Sequence, residues 1–427
     1  MDYKLNNKYD VLIIGGGIAG ISASLELSKN DFSSIIIEKS STLGGYSLEF
    51  CCKASESCNS CSACLVSKYI KDMGKTTNVV YIVDSVVNDV LKDQGRFNVK
   101  VTKNPRYINI DKCNACGECS KVCPAGQDVI LLKNPQALPL AYHINTSKCI
   151  HFKGENCRKC ESVCPNKAID LDEKLKEINY EVNAIIVAIG FKPIDASQKS
   201  NYHLNKYQNV ITGLDAEKMI RERGFLYKES DATPPGKIAF IQCVGSRDTT
   251  RGKGYCSRVC CGYSMRISRM LEHLDPKLDI SIFYMDLQNF GRNFSEFYKE
   301  SRRKMKFIRS MPADISEDES GLLNLRFEDV DSNRIIESSF DMLILSIGMQ
   351  PSEDTEFISK LMDLSMDKNG FLKSVDFTDT TKTEKDGIFL AGSCQGPKDI
   401  NESITHGTNA ASEVLSYLMK NLKLTNY

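Results

Sequence analysis

Val11-Leu12-Ile13-Ile14-Gly15-Gly16-Gly17-Ile18-Ala19-Gly20 is the stretch on which the reading of this chain turns. Four large apolar residues make a buried strand, the glycines make a tight turn, and Ile18-Ala19 open a helix continuing through Ser22–Ser28. Gly15 permits the turn, Gly17 lets the backbone approach a pyrophosphate, and Gly20 lets helix and strand pack closely. The first N–H groups of the helix, at Ile18 and Ala19, have no partner within it and suit a phosphate. Ser34–Glu38 reads as the next strand, and Glu38, 18 residues after Gly20, can accept both ribose hydroxyls of an adenosine. A glycine pattern alone also describes an ordinary strand–turn–helix. Strand, helix and acidic residue in register make it a dinucleotide site.

Cysteine dominates the chain beyond this motif, with 18 in 427 residues. Cys113-x2-Cys116-x2-Cys119-x3-Cys123-Pro124 has the spacing of a bacterial ferredoxin, in which the fourth thiolate serves a second cluster. A second run follows as Cys149, Cys157, Cys160 and Cys164-Pro165, with a first gap of seven residues in place of two. The crossed arrangement assigns Cys113, Cys116, Cys119 and Cys164 to one [4Fe–4S] cluster and Cys123, Cys149, Cys157 and Cys160 to another. A structural zinc site is the alternative. A third group, Cys243, Cys256, Cys260 and Cys261, follows the strand Lys237–Gln242, where a second dinucleotide domain would carry glycines. It reads as a cluster site or as buried or redox-active thiols. A fourth, Cys52, Cys58, Cys61 and Cys64 with Cys51 spare, reads as a cluster or as a CxxC disulfide of the thioredoxin reductase kind. Two clusters are thus firm and up to four are expected.

Composition sets the frame. Lys+Arg and Asp+Glu are each 55, so nothing points to nucleic acid. The longest apolar runs, Val11–Ile14, Ile185–Ile189 and Met342–Ile347, are too short for a direct membrane span. The N-terminus lacks the plan of a signal peptide, so a cytoplasmic location is expected. Cytosolic thiols seldom pair as structural disulfides, which favours metal ligation. Strands alternate with helices at both ends, giving a doubly wound α/β fold with the cysteine-rich middle inserted. The expected domains are residues 1–104, FAD-binding with the cysteine segment 51–64; 105–172, the 2[4Fe–4S] ferredoxin insert; 173–230, FAD-binding continued and a linker; 231–340, a second α/β domain; and 341–427, the FAD-binding C-terminal part. His143 and His151 read as loop residues. His406 reads as a neighbour of the flavin or as a solvated or capping residue, and Cys394 as flavin-proximal packing in preference to ligation.

Glu38-Lys39-Ser40-Ser41-Thr42-Leu43-Gly44-Gly45 resembles the segment after the acidic residue in two-dinucleotide-domain flavoproteins, which implies FAD rather than NAD. Ala188-Ile189-Gly190 and Gly387-Ile388-Phe389-Leu390-Ala391-Gly392 resemble two more marks of those proteins, with Ser393 where Asp is usual. Phe240-Ile241-Gln242-Cys243-Val244-Gly245-Ser246-Arg247-Asp248, Tyr255-Cys256-Ser257-Arg258-Val259-Cys260-Cys261 and Ala391-Gly392-Ser393-Cys394-Gln395-Gly396-Pro397-Lys398-Asp399-Ile400 resemble the A-type subunits of heterodisulfide reductases, from about residue 8 to 420. The resemblance implies a thioredoxin-reductase-like α/β core with an inserted bacterial-type ferredoxin domain, non-covalent FAD, and Lys398 and Asn401 near the flavin or its pyrophosphate. It also implies an electron-transfer subunit that converts two-electron flavin chemistry to one-electron cluster transfer, with bifurcation as a family role; the oxygen sensitivity of exposed clusters suggests an anaerobe. Partners would be B- and C-type subunits, ferredoxin, hydrogenase or dehydrogenase modules, and a second copy in a homodimer. The rivals are a quinone-interacting oxidoreductase subunit, an NAD(P)H-dependent oxidoreductase, a thiol–disulfide flavoenzyme and a non-catalytic iron–sulfur redox sensor.

Overall fold

The computed structural model describes residues 7–251, 253–288, 293–330 and 332–424. The strand Lys8–Ile14 carries fully buried Val11, Leu12 and Ile13, as a strand covered on both faces requires. It pairs in parallel with Ser34–Ile37 on one side and with Lys176–Val187 on the other. Val79–Ile82 extends the sheet beyond Ser34–Ile37. The twelve-residue strand Lys176–Val187 has two partners on its far side: Arg96–Lys103 runs antiparallel to its first half and Ile388–Leu390 parallel to its second. Ser85–Asp93, absent from the sequence reading, closes that edge as a hairpin with Arg96–Lys103. Its inner residues alternate with exposed Asn88, Asp89 and Leu91, so no continuous apolar run announces it.

One face of this sheet is covered by the helices Ile18–Lys29 and Ile400–Leu424, which approach so closely that a Cβ on Gly407 would fall 2.3 Å from the Ala19 carbonyl oxygen. Leu12, Ile35, Val99, Ile185 and Ile358 pack together on the other face. The ferredoxin-like segment is inserted between Arg96–Lys103 and Lys176–Val187, which are antiparallel neighbours, so its two ends leave side by side and an Ile108–Ile169 bridge joins them. Its core is Ile108, Val129, Ile130, Ile144, Ala168 and Leu171 around Cys119 and Cys160.

A second sheet, all parallel, runs Val210–Thr212, Met342–Ile347, Lys237–Val244, Asp279–Phe283, Lys306–Ile308. Two expected boundaries are corrected by this order. Met342–Ile347, assigned to the FAD-binding C-terminal part, is hydrogen-bonded between Val210–Thr212 and Lys237–Val244, and Val210–Thr212 lies in what was read as linker. Both are apolar strands ahead of a turn, so pattern alone does not say which sheet receives them. The antiparallel pair Phe191–Pro193 and Met349–Pro351 carries the chain between the two sheets. Among the described residues no helix is long and apolar enough to cross a membrane.

Candidate functional site

A cavity of about 960 Å³ opens between the two sheets, at the upper end of the size of small-molecule sites. Gly15, Gly17, Ile18, Ala19, Glu38, Lys39, Gly44 and Gly45 line one side. Ala188, Gly190, Ser393, Lys398 and Asn401 line a second. The second sheet contributes Gly213, Glu217, Arg258, Gly262, Tyr263 and Arg266.

Local geometry explains the fingerprint. Gly15 has φ +105°, and a Cβ there would fall 2.3 Å from the Ala188 carbonyl oxygen. Gly17 is the opposite case: it precedes the helix Ile18–Lys29 without a side-chain cap, and a Cβ on it would meet nothing within 4 Å. The helix therefore offers its first N–H groups across an open cradle, which fits a pyrophosphate. Glu38 accepts from the N–H of Gly16 at 2.6 Å and from that of Ser40 at 2.7 Å, holding its carboxylate at the strand end. Gly20 and Gly392 do not line the cavity. A Cβ on Gly20 would strike the Gly15 carbonyl oxygen at 2.1 Å, and one on Gly392 would meet the Ala19 Cβ at 2.6 Å, so both serve close packing.

His406 was missed as a support. Its Nδ1 accepts the Gly392 N–H at 2.8 Å and its Nε2 meets the Thr380 carbonyl at 3.1 Å, which fixes a neutral ring beneath the turn carrying Ser393. Burial pushes its pKa down to about 4. An unfolded histidine titrates near 6.5, so the unfolded chain binds more protons between about pH 4 and 6.5. Stability from this ring is therefore full above pH 6.5 and is lost as pH falls through that window toward 4. His406→Asn should flatten this pH dependence, read as denaturation midpoints at pH 7 and pH 5; an unchanged slope would remove His406 from the account.

No two of the eighteen cysteines are joined in a disulfide. In the insert, Cys113, Cys116, Cys119 and Cys164 line one small cavity with Tyr142, so Cys164 from the second run joins three thiols of the first. Ala115 and Gly117 have φ +57° and +80°, turning the loop as cluster loops require. Cys149 lies within Coulombic reach of Cys160, and Cys123 packs on the same core. Burial holds Cys119 and Cys160 up at about 11, so ligation has to expel their protons.

Cys243, Cys256, Cys260 and Cys261 are brought together. Burial and then Cys243, Cys261 and Cys256 raise the Cys260 pKa. Cys243, Arg247 and Arg258 all take left-handed φ values, +59°, +57° and +63°, and the helix Cys260–Leu274 begins only after Arg258, which is held out of helical geometry. Tyr263, within Coulombic reach of Cys260 and Cys261, donates its hydroxyl to the Ile347 carbonyl at 2.9 Å.

The fourth group is drawn together only in part. Cys61 lines the cavity and, with Cys58, lies near Arg266, whose Nε donates to the Asn59 carbonyl at 2.7 Å. Cys52 and Cys64 are exposed, and no hydrogen bond among the described residues ties either to Cys58 or Cys61. Cys51 is engaged elsewhere: its thiol donates to Glu217 at 3.1 Å and burial pushes its pKa up to about 12. Glu217 also pairs with Lys53, side chains 5% and 4% exposed, across the seam between the two sheets. The sequence holds no local signal for that pair. Among the described residues no three His, Cys, Asp or Glu side chains close on one point as a single ion requires. A cubane holds its thiolates at separate corners and fits a wider set.

Comparison with known proteins follows this geometry. Residues 13–55 match the NAD(P)-binding Rossmann-like domain family, and residues 106–127 match the 4Fe-4S binding domain family. The A-type subunit of the H(2):CoB-CoM heterodisulfide,ferredoxin reductase of Methanothermobacter thermautotrophicus is 36% identical over 427 residues, covering 96% of this chain. Over nearly its whole length the chain is similar to the A-type subunits of heterodisulfide reductases. The iron-sulfur A-type subunit of the CoB–CoM heterodisulfide reductase of Methanocaldococcus jannaschii is 35% identical over 94% of the chain. The chain spans 64% and 63% of the length of these two relatives. Among solved structures, the thioredoxin reductase of T. acidophilum matches with TM-score 0.54 and 13% identity, over 97% of this chain and all of that one, 100%. That of Lactococcus lactis matches with TM-score 0.52 and 15% identity, over 96% and 99%. The chain thus has a thioredoxin-reductase-like fold carrying a ferredoxin insert.

Proposed function

We propose that the chain is an FAD- and [4Fe–4S]-containing electron-transfer subunit of a heterodisulfide-reductase-like complex. One observation carries the reading: a single cavity is lined by the dinucleotide fingerprint, by Cys61, and by Arg258 and Val259 between Cys256 and Cys260. Bound FAD accepts electrons in pairs and releases them singly, while each cluster carries one. The protein's part is to hold and insulate. Glu38 receives the adenosine ribose, the helix at Ile18 the pyrophosphate, and Lys398 with Arg266 supplies positive charge. Tyr263 and Gly262 keep water from the space between the cavity and the third cysteine group. Flavin-based bifurcation is the finer form of this proposal. B- and C-type subunits or ferredoxin are the partners it calls for, in a cytoplasmic complex.

The test is iron, acid-labile sulfide and FAD per chain after anaerobic reconstitution, beside a Cys256→Ala/Cys260→Ala variant. The expected result is one FAD and about sixteen irons, falling by about four in the variant. About eight irons without a fall would leave clusters in the insert alone and turn the remaining cysteines into candidates for disulfide exchange.

A further inference from the structure

We infer that the ferredoxin insert completes the flavin cavity by placing Lys133 as a cation beside the flavin half of the bound dinucleotide, an inference that rests on the FAD reading above. Lys133 is the one residue of segment 105–172 among those lining the cavity.

Its position is built. The loop between Ile130–Leu131 and His143–Ile144 leaves the insert and is fastened to the first sheet's domain at three points, and to Arg106 within the insert itself. The Leu138 carbonyl accepts from the Leu43 N–H at 2.7 Å, and Asn134 Nδ2 donates to the Leu48 carbonyl at 3.1 Å. Gln136 accepts from the Ser67 hydroxyl at 2.7 Å, and Arg106 donates to the Ala141 carbonyl at 3.0 Å. Ala137, 2% exposed, is part of the apolar core beneath the fingerprint helix. Lys133 precedes Asn134, so its backbone is held at Leu48, in the helical turn that follows Gly44-Gly45, beyond the stretch in which Glu38 would hold the adenosine.

Its charge is also unusual there. Lys39 pairs with Asp354 at 2.8 Å, Arg258 with Glu402 at 2.6 Å, and Lys53 with Glu217. Lys398 donates to Gln395 at 2.6 Å and Arg266 to Asn59 at 2.7 Å. Lys133 is an exposed side chain at the cavity wall, and its ammonium has no hydrogen bond or ion pair among the described residues. An unpaired cation beside a partly desolvated ring favours negative charge on that ring, and so favours electron uptake. The insert would then set the flavin's affinity for electrons as well as supplying clusters.

The experiment compares Lys133→Gln and Lys133→Arg with the wild-type chain after anaerobic reconstitution, reading FAD and iron per chain and the flavin midpoint potential by dye-coupled titration. Both variants should keep wild-type FAD and iron. The glutamine variant should be harder to reduce by about tenfold in the equilibrium constant, roughly 30 mV more negative for a two-electron couple, and the arginine variant should stay near wild type. An unchanged midpoint in a fully loaded glutamine variant would overturn the inference. So would loss of FAD from the glutamine variant alone, which would move the contact to the pyrophosphate. A wild-type chain that takes up no FAD would overturn the flavin reading itself, a result distinct from an unchanged midpoint.

Discussion

Gly15→Ala is expected to leave the chain without bound FAD and to destabilise its first sheet by on the order of 3 kcal/mol. The residue sits at φ +105°, where an L side chain is strained, and its Cβ would press on backbone, the Ala188 carbonyl at 2.3 Å. Neither the turn nor Lys176–Val187 can retreat, because the strands on both sides are paired throughout. Gly17→Ala separates fold from binding. Its φ is −71° and no atom lies within 4 Å of the new methyl, so the melting temperature should stay put. The methyl would project over the helix N-terminus where the pyrophosphate is expected, weakening FAD by roughly tenfold or more, about 1.4 kcal/mol. Flavin fluorescence titration beside thermal unfolding reads both. Equal loss of stability in the two variants would count against the assignment of Gly17 to the cradle.

Lys53→Met should cost about 3–5 kcal/mol, because it strands Glu217 as an uncompensated carboxylate in a site where both side chains are almost fully buried. The double variant Lys53→Met/Glu217→Met should recover most of that loss, since two apolar residues of similar volume avoid the desolvation of both ions. Denaturant midpoints for wild type, both single variants and the double variant close the cycle. The pair joins the loop of the fourth cysteine group to the helix Gly213–Arg223, so proteolysis between the two sheets should rise in the single variants. A single variant as stable as wild type would show that the seam is held by other contacts, Arg221 with Glu49 among them.

The two motifs that decide the architecture are local. A tight turn between strand and helix must have residues without Cβ at stated offsets, and a ferredoxin loop must space its thiols to fold around a cubane. Such demands are met within about ten residues of chain, so Gly15–Gly20 and Cys113–Cys123 are readable one residue at a time. The crossing of Cys164 to Cys113, Cys116 and Cys119 is not local, and was expected from the pattern of two paired runs; one cavity of the insert gathers those four thiols.

Tertiary structure decided what depends on which surfaces meet. Met342–Ile347 and Gly387–Gly392 look alike in sequence, as apolar runs ending at glycine, yet the first is central to the second sheet and the strand of the second pairs with Lys176–Val187. Hydrogen-bond partners on both edges choose between them, and an edge is not written in a strand's own residues. Gly392 read as a cofactor contact, and in the fold it packs against Ala19 in the turn that His406 supports. Cys51 departs from its neighbours because Glu217, 166 residues away, takes its thiol. Lys133 reaches the cavity only because Ala137 and Leu138 bury against the other domain. By itself, then, the sequence determined the turn chemistry and the ligand spacing, since short-range sterics and thiol geometry dictate both. The folded chain alone decided which helix faces which loop, because burying apolar surface pairs residues without regard to their distance along the chain.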